Sequence, residues 1–187
     1  MERLTPRLRL RAWREADLDP LAAINADPEV MRFIADGSTR TREETAAQLE
    51  RFRREGRDRH EHREHGPGAF AVEVRGTGEL AGWVALTVPA FLPEILPAVE
   101  IGWRLGRAHW GRGYATEAAR SAMEFAFTEA GLDRLVSVCH VDHHASARVM
   151  AKLGMTLDRT TTVPAHGQPV RVTAITRERY AAASHRA

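Results

Sequence analysis

Glu100 is the carboxylate whose neighbours could put it to chemical use. In Val-Glu-Ile-Gly-Trp-Arg-Leu at 99–105, Val99, Ile101, Trp103 and Leu105 alternate with Glu100, Gly102 and Arg104, the two-residue period of a strand packed on one face. Glu100 therefore projects from the other face, where a carboxylate whose pKa is lifted by burial can accept a proton near neutral pH. Pairing with an arginine on that face, such as Arg104, is the structural alternative. A few residues on, Gly111-Arg112-Gly113 exposes backbone just before Ala115, Ala118, Ala119, Ala122, Met123 and Ala126, which recur at helical spacing. A helix start has unpaired N–H groups and the positive end of its dipole, so this turn suits a phosphate or pyrophosphate. The same glycines serve equally well simply to shape a tight strand-to-helix turn.

Other reactive residues are less well placed. Cys139 is the only cysteine, which excludes an intrachain disulfide and fits a reducing compartment. It lies in an apolar run, as a buried structural thiol does, and His140 beside it belongs to the opposite face of a strand. His60, His62 and His65 sit in a mixed-charge stretch with several arginines, better suited to a solvated segment than to a metal. A zinc site from His140, His143 and His144 would need a strand end and a helix start to converge on one ion, and no metal is expected.

The elements that must position these residues follow in order. Leu8 to Trp13 alternates as a first strand, and a helix carrying Leu21, Ala22 and Ile24 breaks near Asp27-Pro28. A short helix holds Val30, Met31, Phe33 and Ile34. Thr41 and Glu44 have the spacing of a capping box for a helix running to about Arg54. Ala69 to Val74 and Leu80 to Val88 read as strands joined by a short turn at Gly76-Thr77-Gly78-Glu79. Pro89 to Pro97 is apolar but broken by prolines, so it is a loop that packs on its own domain, lines a pocket or meets a second subunit. After the helix that Gly131 ends come a strand from Leu135 to Val141 and a helix from Ala145 to Leu153 closed by Gly154. Thr156 to Val163 and Val170 to Thr176 form a terminal hairpin. Residues 1–6 and 181–187 are expected to fray.

The chain has 187 residues, enough for one domain, and a net charge of +2 at pH 7 with Lys152 as the sole lysine. A charge so near balance argues against a dedicated nucleic-acid binder. No apolar run is long enough to span a membrane and the N-terminus is polar, so a cytoplasmic protein without membrane contact is expected.

Trp-Gly-Arg-Gly-Tyr-Ala at 110–115, preceded by Glu-Ile-Gly-Trp at 100–103 and followed by Thr-Glu-Ala at 116–118, resembles the acyl-CoA-binding segment of the GCN5-related N-acetyltransferases (GNAT). The likeness is greatest to their RimJ/RimL-like branch, which acetylates the N-termini of ribosomal proteins. The opening strand with Arg-x-x-Asp-Leu and Asn-Ala-Asp-Pro-Glu-Val-Met, and the run from Val141 to Met155, resemble the same branch. The resemblance implies an α/β (α+β) fold in a single domain spanning 1–187. Its mixed, mostly antiparallel sheet would have about seven strands, splayed at the acyl-CoA site and flanked by helices. It implies acetyl-CoA as co-substrate, held by Trp103, Arg104, Leu105, Gly111, Arg112, Gly113, Tyr114, Ala115 and Thr116. The superfamily's usual Arg/Gln is Trp110 here, a change that leaves a backbone cradle intact. His143 stands where the family has the Asn that contacts the pantetheine arm; an exposed loop histidine is the other reading.

The acceptor implied is a primary amine, either a protein N-terminus or a small molecule. Asn25, Met31, Phe33 and Ile34 are substrate-contact candidates, with a core role open to the apolar ones. An amine must be neutral to attack a thioester, and Glu100 is the candidate base, acting directly or through water. Strand N–H groups near Trp103 could hold the developing oxyanion if the sheet opens there, and Gly102 would permit a bulge. Many family members donate a proton from a tyrosine on the last helix; that place is Met150 here, and Ser146 is the alternative acid or else a helix cap. The competing reading is a noncatalytic acyl-CoA-binding or nucleic-acid-binding module on the same fold, and a homodimer is compatible with either.

Overall fold

The computed structural model describes residues 2–57 and 68–184, and the histidines at 60, 62 and 65 lie outside them. In chain order come β1 (Arg3–Leu4), β2 (Leu8–Arg11), α1 (Leu18–Ala26), α2 (Pro28–Met31), α3 (Arg42–Arg57), β3 (Gly68–Val74) and β4 (Leu80–Thr87). They are followed by β5 (Glu100–Leu105), α4 (Tyr114–Thr128), β6 (Arg134–His140), α5 (His144–Lys152), β7 (Thr156–Thr162), β8 (Pro169–Thr176) and α6 (Arg177–Ser184). The strands form one eight-stranded sheet in the order β1-β2-β3-β4-β5-β6-β8-β7. All neighbours are antiparallel except β5 and β6.

The eighth strand is β1, in a segment expected to fray. Arg3 and Leu4 pair with Leu10 and Arg9, and the Arg3 guanidinium reaches Ser121 and Glu124 on α4 and Glu129 just after it. At the other end, α6 carries the chain in order to Ser184, past the point where fraying was expected.

One face of the sheet is covered by α4. Its alanines, Ala118, Ala119, Ala122 and Ala126, are essentially inaccessible and bring the helix close enough for Met123, Phe125 and Phe127 to pack against Leu8, Phe70, Ile101 and Leu105. Each such large apolar side chain contributes roughly 1.5–3 kcal/mol on burial. The opposite face is covered by α1 and α3, where Trp13, Leu21, Leu49 and Phe52 pack on Ala69, Ala71 and Ala85.

The N-terminus of α3 is closed by the expected reciprocal pair. The Glu44 N–H donates to Thr41 Oγ1 at 3.2 Å and the Thr41 N–H donates to Glu44 Oε2 at 2.8 Å. Thr41→Ala should cost about 1 kcal/mol, read as a small fall in the midpoint of chemical unfolding.

The proline-broken loop divides its work. Leu92 and Ile95, around a short 3-10 turn at Pro93–Ile95, are buried against Val136, Val163, Val170 and Val172. Phe91 and Leu96 stay exposed. Among the described residues no helix is long and apolar enough to cross a membrane.

Candidate active site at the opening of the sheet

The parallel strands β5 and β6 are in register at one pair only, Glu100 with Val136, where the Val136 N–H donates to Val99 C=O at 3.0 Å. Beyond it they separate, and side chains fill the wedge. Ser137 Oγ donates to Ile101 C=O at 2.8 Å, and the Val138 N–H donates to a Glu100 carboxylate oxygen at 3.3 Å. The opening thus comes from strand divergence. Gly102 makes no bulge; it stays in unbroken register opposite Ala85.

The backbone of β5 alternates between its two neighbours. Gly106 N–H reaches Ala81 C=O on the β4 side, whereas the carbonyls of Val99, Ile101 and Leu105 are used on the β6 side. Trp103 shares the parity of the second set, so its N–H opens into the wedge.

Between β5 and α4 the chain turns through Gly111 (φ +72°) and Gly113 (φ +79°), a left-handed conformation that favours glycine at both positions. Trp110, in the place of the expected Arg/Gln, donates its indole N–H to Leu105 C=O at 2.8 Å and ties the turn to the strand. Among the described residues, no backbone N–H from Gly111 to Thr116 has an acceptor within the protein; the next, Glu117 N–H, bonds to Gly113 C=O. The space where a Gly111 Cβ would stand is empty for 4 Å around. This is a row of free donors at a helix N-terminus, which is what a phosphate group needs.

Arg7 braces the turn from behind, a role not apparent in the sequence. Its guanidinium donates to Arg112 C=O at 2.8 Å and to Glu117 at 2.7 Å, and stacks over Tyr114 at 5.0 Å. Glu117 also receives Thr5 Oγ1 at 2.6 Å and the Arg7 N–H at 2.9 Å, contacts that hold its carboxyl below the usual range despite partial burial. Glu117 belongs to the Thr-Glu-Ala run, but nothing in that run points to Arg7 as its partner.

Two cavities meet at the wedge. One of about 550 Å³ runs along the turn and is walled by Leu105, Gly111, Gly113, Tyr114, Ala115 and Thr116. The other, of about 530 Å³, lies on the Glu100 face of β5 and is walled by Glu100, Trp83, Phe91, Ser137, Cys139 and Gln168 among others. Phe33, Ile34, Trp103, Arg104, His143 and Ser146 line both. The geometry therefore brings together most of the residues singled out in the sequence.

Several individual expectations change. Arg112 lines neither cavity, and its C=O is taken by Arg7. Asn25 and Met31 are buried and also line neither; Asn25 instead bonds Thr45, Gln48 and Arg104. Arg104 pairs with Asn25 Oδ1 at 2.6 Å and not with Glu100, so the ion pair weighed for these two residues is not formed. Ser146 is not the cap of α5: His143 is, with its Nδ1 accepting the Ser146 N–H at 3.5 Å.

Burial dominates the electrostatics of the wedge. Burial pushes the Glu100 carboxyl up to about 7, against the Val138 N–H that pulls it down. Burial, helped by His140 and His144, lowers His143. With Nδ1 accepting the Ser146 N–H, the other ring nitrogen, Nε2, is the one left to donate. Its face stacks on Phe33 at 4.7 Å. Cys139 is a buried thiol raised by desolvation and sits 3.8 Å from the Met150 sulfur, as a structural thiol should. Among the described residues no three His, Cys, Asp or Glu side chains gather as metal ligands.

The groove joins a turn of free amides to the half-buried Glu100 carboxylate across a split sheet. A family model described as "Acetyltransferase (GNAT) domain" matches residues 7–156, and the chain belongs to this family of N-acetyltransferases. It is 31% identical over 160 residues to the Bacillus subtilis protein YkkB, covering 84% of this chain and 86% of that one. Its fold is similar to that of a GNAT-family acetyltransferase from Bacillus anthracis, with a TM-score of 0.78 at 23% identity over 95% and 99% of the two chains. It is similar too to the RimL ribosomal L7/L12 alpha-N-protein acetyltransferase in complex with coenzyme A, with a TM-score of 0.74 at 18% identity over 93% and 96%.

Proposed function

We propose that the protein transfers an acetyl group from acetyl-CoA to a primary amine by direct attack in a ternary complex. The observation that carries this reading is the row of unpartnered amide N–H groups from Gly111 to Thr116, opening into the same wedge as Glu100. The diphosphate of the co-substrate lies on the amides of Gly111, Arg112, Gly113, Tyr114, Ala115 and Thr116. Its pantetheine arm passes Leu105 and Trp103 into the wedge, with the His143 ring as a hydrogen-bond donor at the mouth.

The acceptor enters from the Glu100 side. An ammonium gives one proton to Glu100, directly or through water, and the neutral nitrogen attacks the thioester carbon. The Trp103 N–H, fixed by the β5 ladder, donates to the resulting oxyanion. The C–S bond breaks, the nitrogen's second proton passes to solvent as the amide forms, and Glu100 returns its own proton to solvent before the next turnover. The departing sulfur takes up a proton, supplied by Ser146 or by solvent. Because a thiolate is a good leaving group, Ser146→Ala should lower kcat by only about 10-fold, leaving KM for acetyl-CoA unchanged in steady-state assays.

Mixing the protein with acetyl-CoA and a panel of amines, and following free thiol, tests the reading directly. Acceptor-dependent release supports it. Retention of acetyl-CoA without release by any acceptor means a binding module instead.

A further inference from the structure

We propose that the acceptor amine carries an anionic group, a carboxylate or a phosphate, and that Arg104 and Arg40 hold it; this rests on the acetyltransferase reading. Arg104 is 6% exposed on the Glu100 face of β5. Its hydrogen bond at Nη1 goes to Asn25 Oδ1, an amide oxygen, and its Nε is buried with no acceptor. Arg40, from the segment before α3, lines the same lobe and contacts Gln48 Oε1 at 3.5 Å, again an amide. The two cations feel each other: burial first, and then Arg40, pull Arg104 down to about 10. Trp83 stacks on the Arg104 guanidinium at 5.2 Å, and its indole N–H is likewise buried without an acceptor.

A buried guanidinium that meets only neutral partners is costly unless something supplies the missing charge. Among the described residues lining this lobe, Glu100 is the only carboxylate. It lies four residues from Arg104, about 13 Å along the strand, and bonds to Val138 instead. Arg51 at the lobe has its own partner in Glu55 at 3.7 Å, so among the described residues Arg104 and Arg40 are the pair without a carboxylate partner. The lobe is thus polarised, with spare donors around the arginines and a proton acceptor at Glu100. An amine bearing an anion matches both ends, whereas a polyamine would set a second cation against the arginines.

The test uses acceptors of one length that differ in the far group: 4-aminobutyrate, 3-aminopropylphosphonate, 4-aminobutanamide and 1,4-diaminobutane, each with acetyl-CoA and the full chain. An anionic end should raise kcat/KM over the amide by roughly 10- to 100-fold, with the diamine poorest, and the order of the two anions tells carboxylate from phosphate. Arg40→Gln and Arg104→Gln should each collapse the anion-to-amide ratio towards one. Arg104→Gln disturbs a buried network, so if it fails to fold the half-buried Arg40 variant decides. Thiol release with the amide or diamine equal to or above the anions, or an unchanged ratio in Arg40→Gln, overturns this inference and leaves the acetyltransferase reading standing. Absence of release with every amine overturns both.

Discussion

Glu100→Gln is expected to lower kcat by about 10²- to 10³-fold while the protein folds and binds acetyl-CoA as before. The amide keeps an oxygen to accept the Val138 N–H that now bonds the carboxylate at 3.3 Å, so the wedge is preserved and only the proton acceptor is lost. The pH dependence separates this from damage to the site. Glu100 is raised to about 7 and works ionised, so its contribution to kcat/KM rises through neutrality and levels above it. In the glutamine variant that inflection near pH 7 should vanish, leaving the slope due to the acceptor's own ammonium. An inflection that persists in the variant rules Glu100 out as the base.

The same burial has a cost that stability measurements can read. A carboxyl raised from an ordinary 4.5 to about 7 is favoured by the fold in its neutral form. The stability this gives is complete below pH 4.5 and is lost as the pH climbs through 7. Ionised Glu100 therefore opposes folding by up to ~3 kcal/mol at pH 8, with partial solvent access reducing the figure. Glu100→Gln should melt higher than the parent at pH 8 and level with it near pH 4. A variant that is slower yet more stable is the signature of a residue kept for chemistry.

Gly113→Asp is expected to weaken acetyl-CoA binding by at least about 100-fold. The side chain would sit at the first turn of α4, among the amides proposed to face the diphosphate, and add like charge there. At φ +79° an Asp backbone is strained, and the new Cβ would lie 3.3 Å from Arg7 Nη2, the group that holds the turn. Strain of this kind costs about 1–2 kcal/mol, which the rest of the core can carry, so circular dichroism should show a folded protein. Calorimetric titration with CoA gives the result. Unchanged affinity in a folded variant places the diphosphate elsewhere.

What the sequence made legible here follows from periodicity and from special backbone. The change from a two-residue to a helical repeat around residue 110 located β5, the turn and α4, and the glycines at 111 and 113 marked the left-handed positions. The Glu100 face was readable for the same reason. What escaped depends on distant pairing. Arg3 and Leu4 show no pattern of their own and become a strand only because Leu10 and Arg9 are there to receive them. Arg104 could have met Glu100 on its own strand face; Asn25, brought up by α1, takes it instead. The acceptor lobe was least legible, because Arg40, Trp83, Phe91 and Gln168 reach it from separate loops and strands, with no spacing in common. The proline-broken loop, by contrast, does two of the three jobs its composition allowed: Leu92 packs on the domain while Phe91 lines the lobe.

The gap between β5 and β6 is propped by Ser137 and Glu100 and does not close as a ladder. An incoming thioester therefore need not pry two strands apart. Its binding energy can go into holding the acyl carbon where the amine arrives, since side chains and not ladder hydrogen bonds span that point.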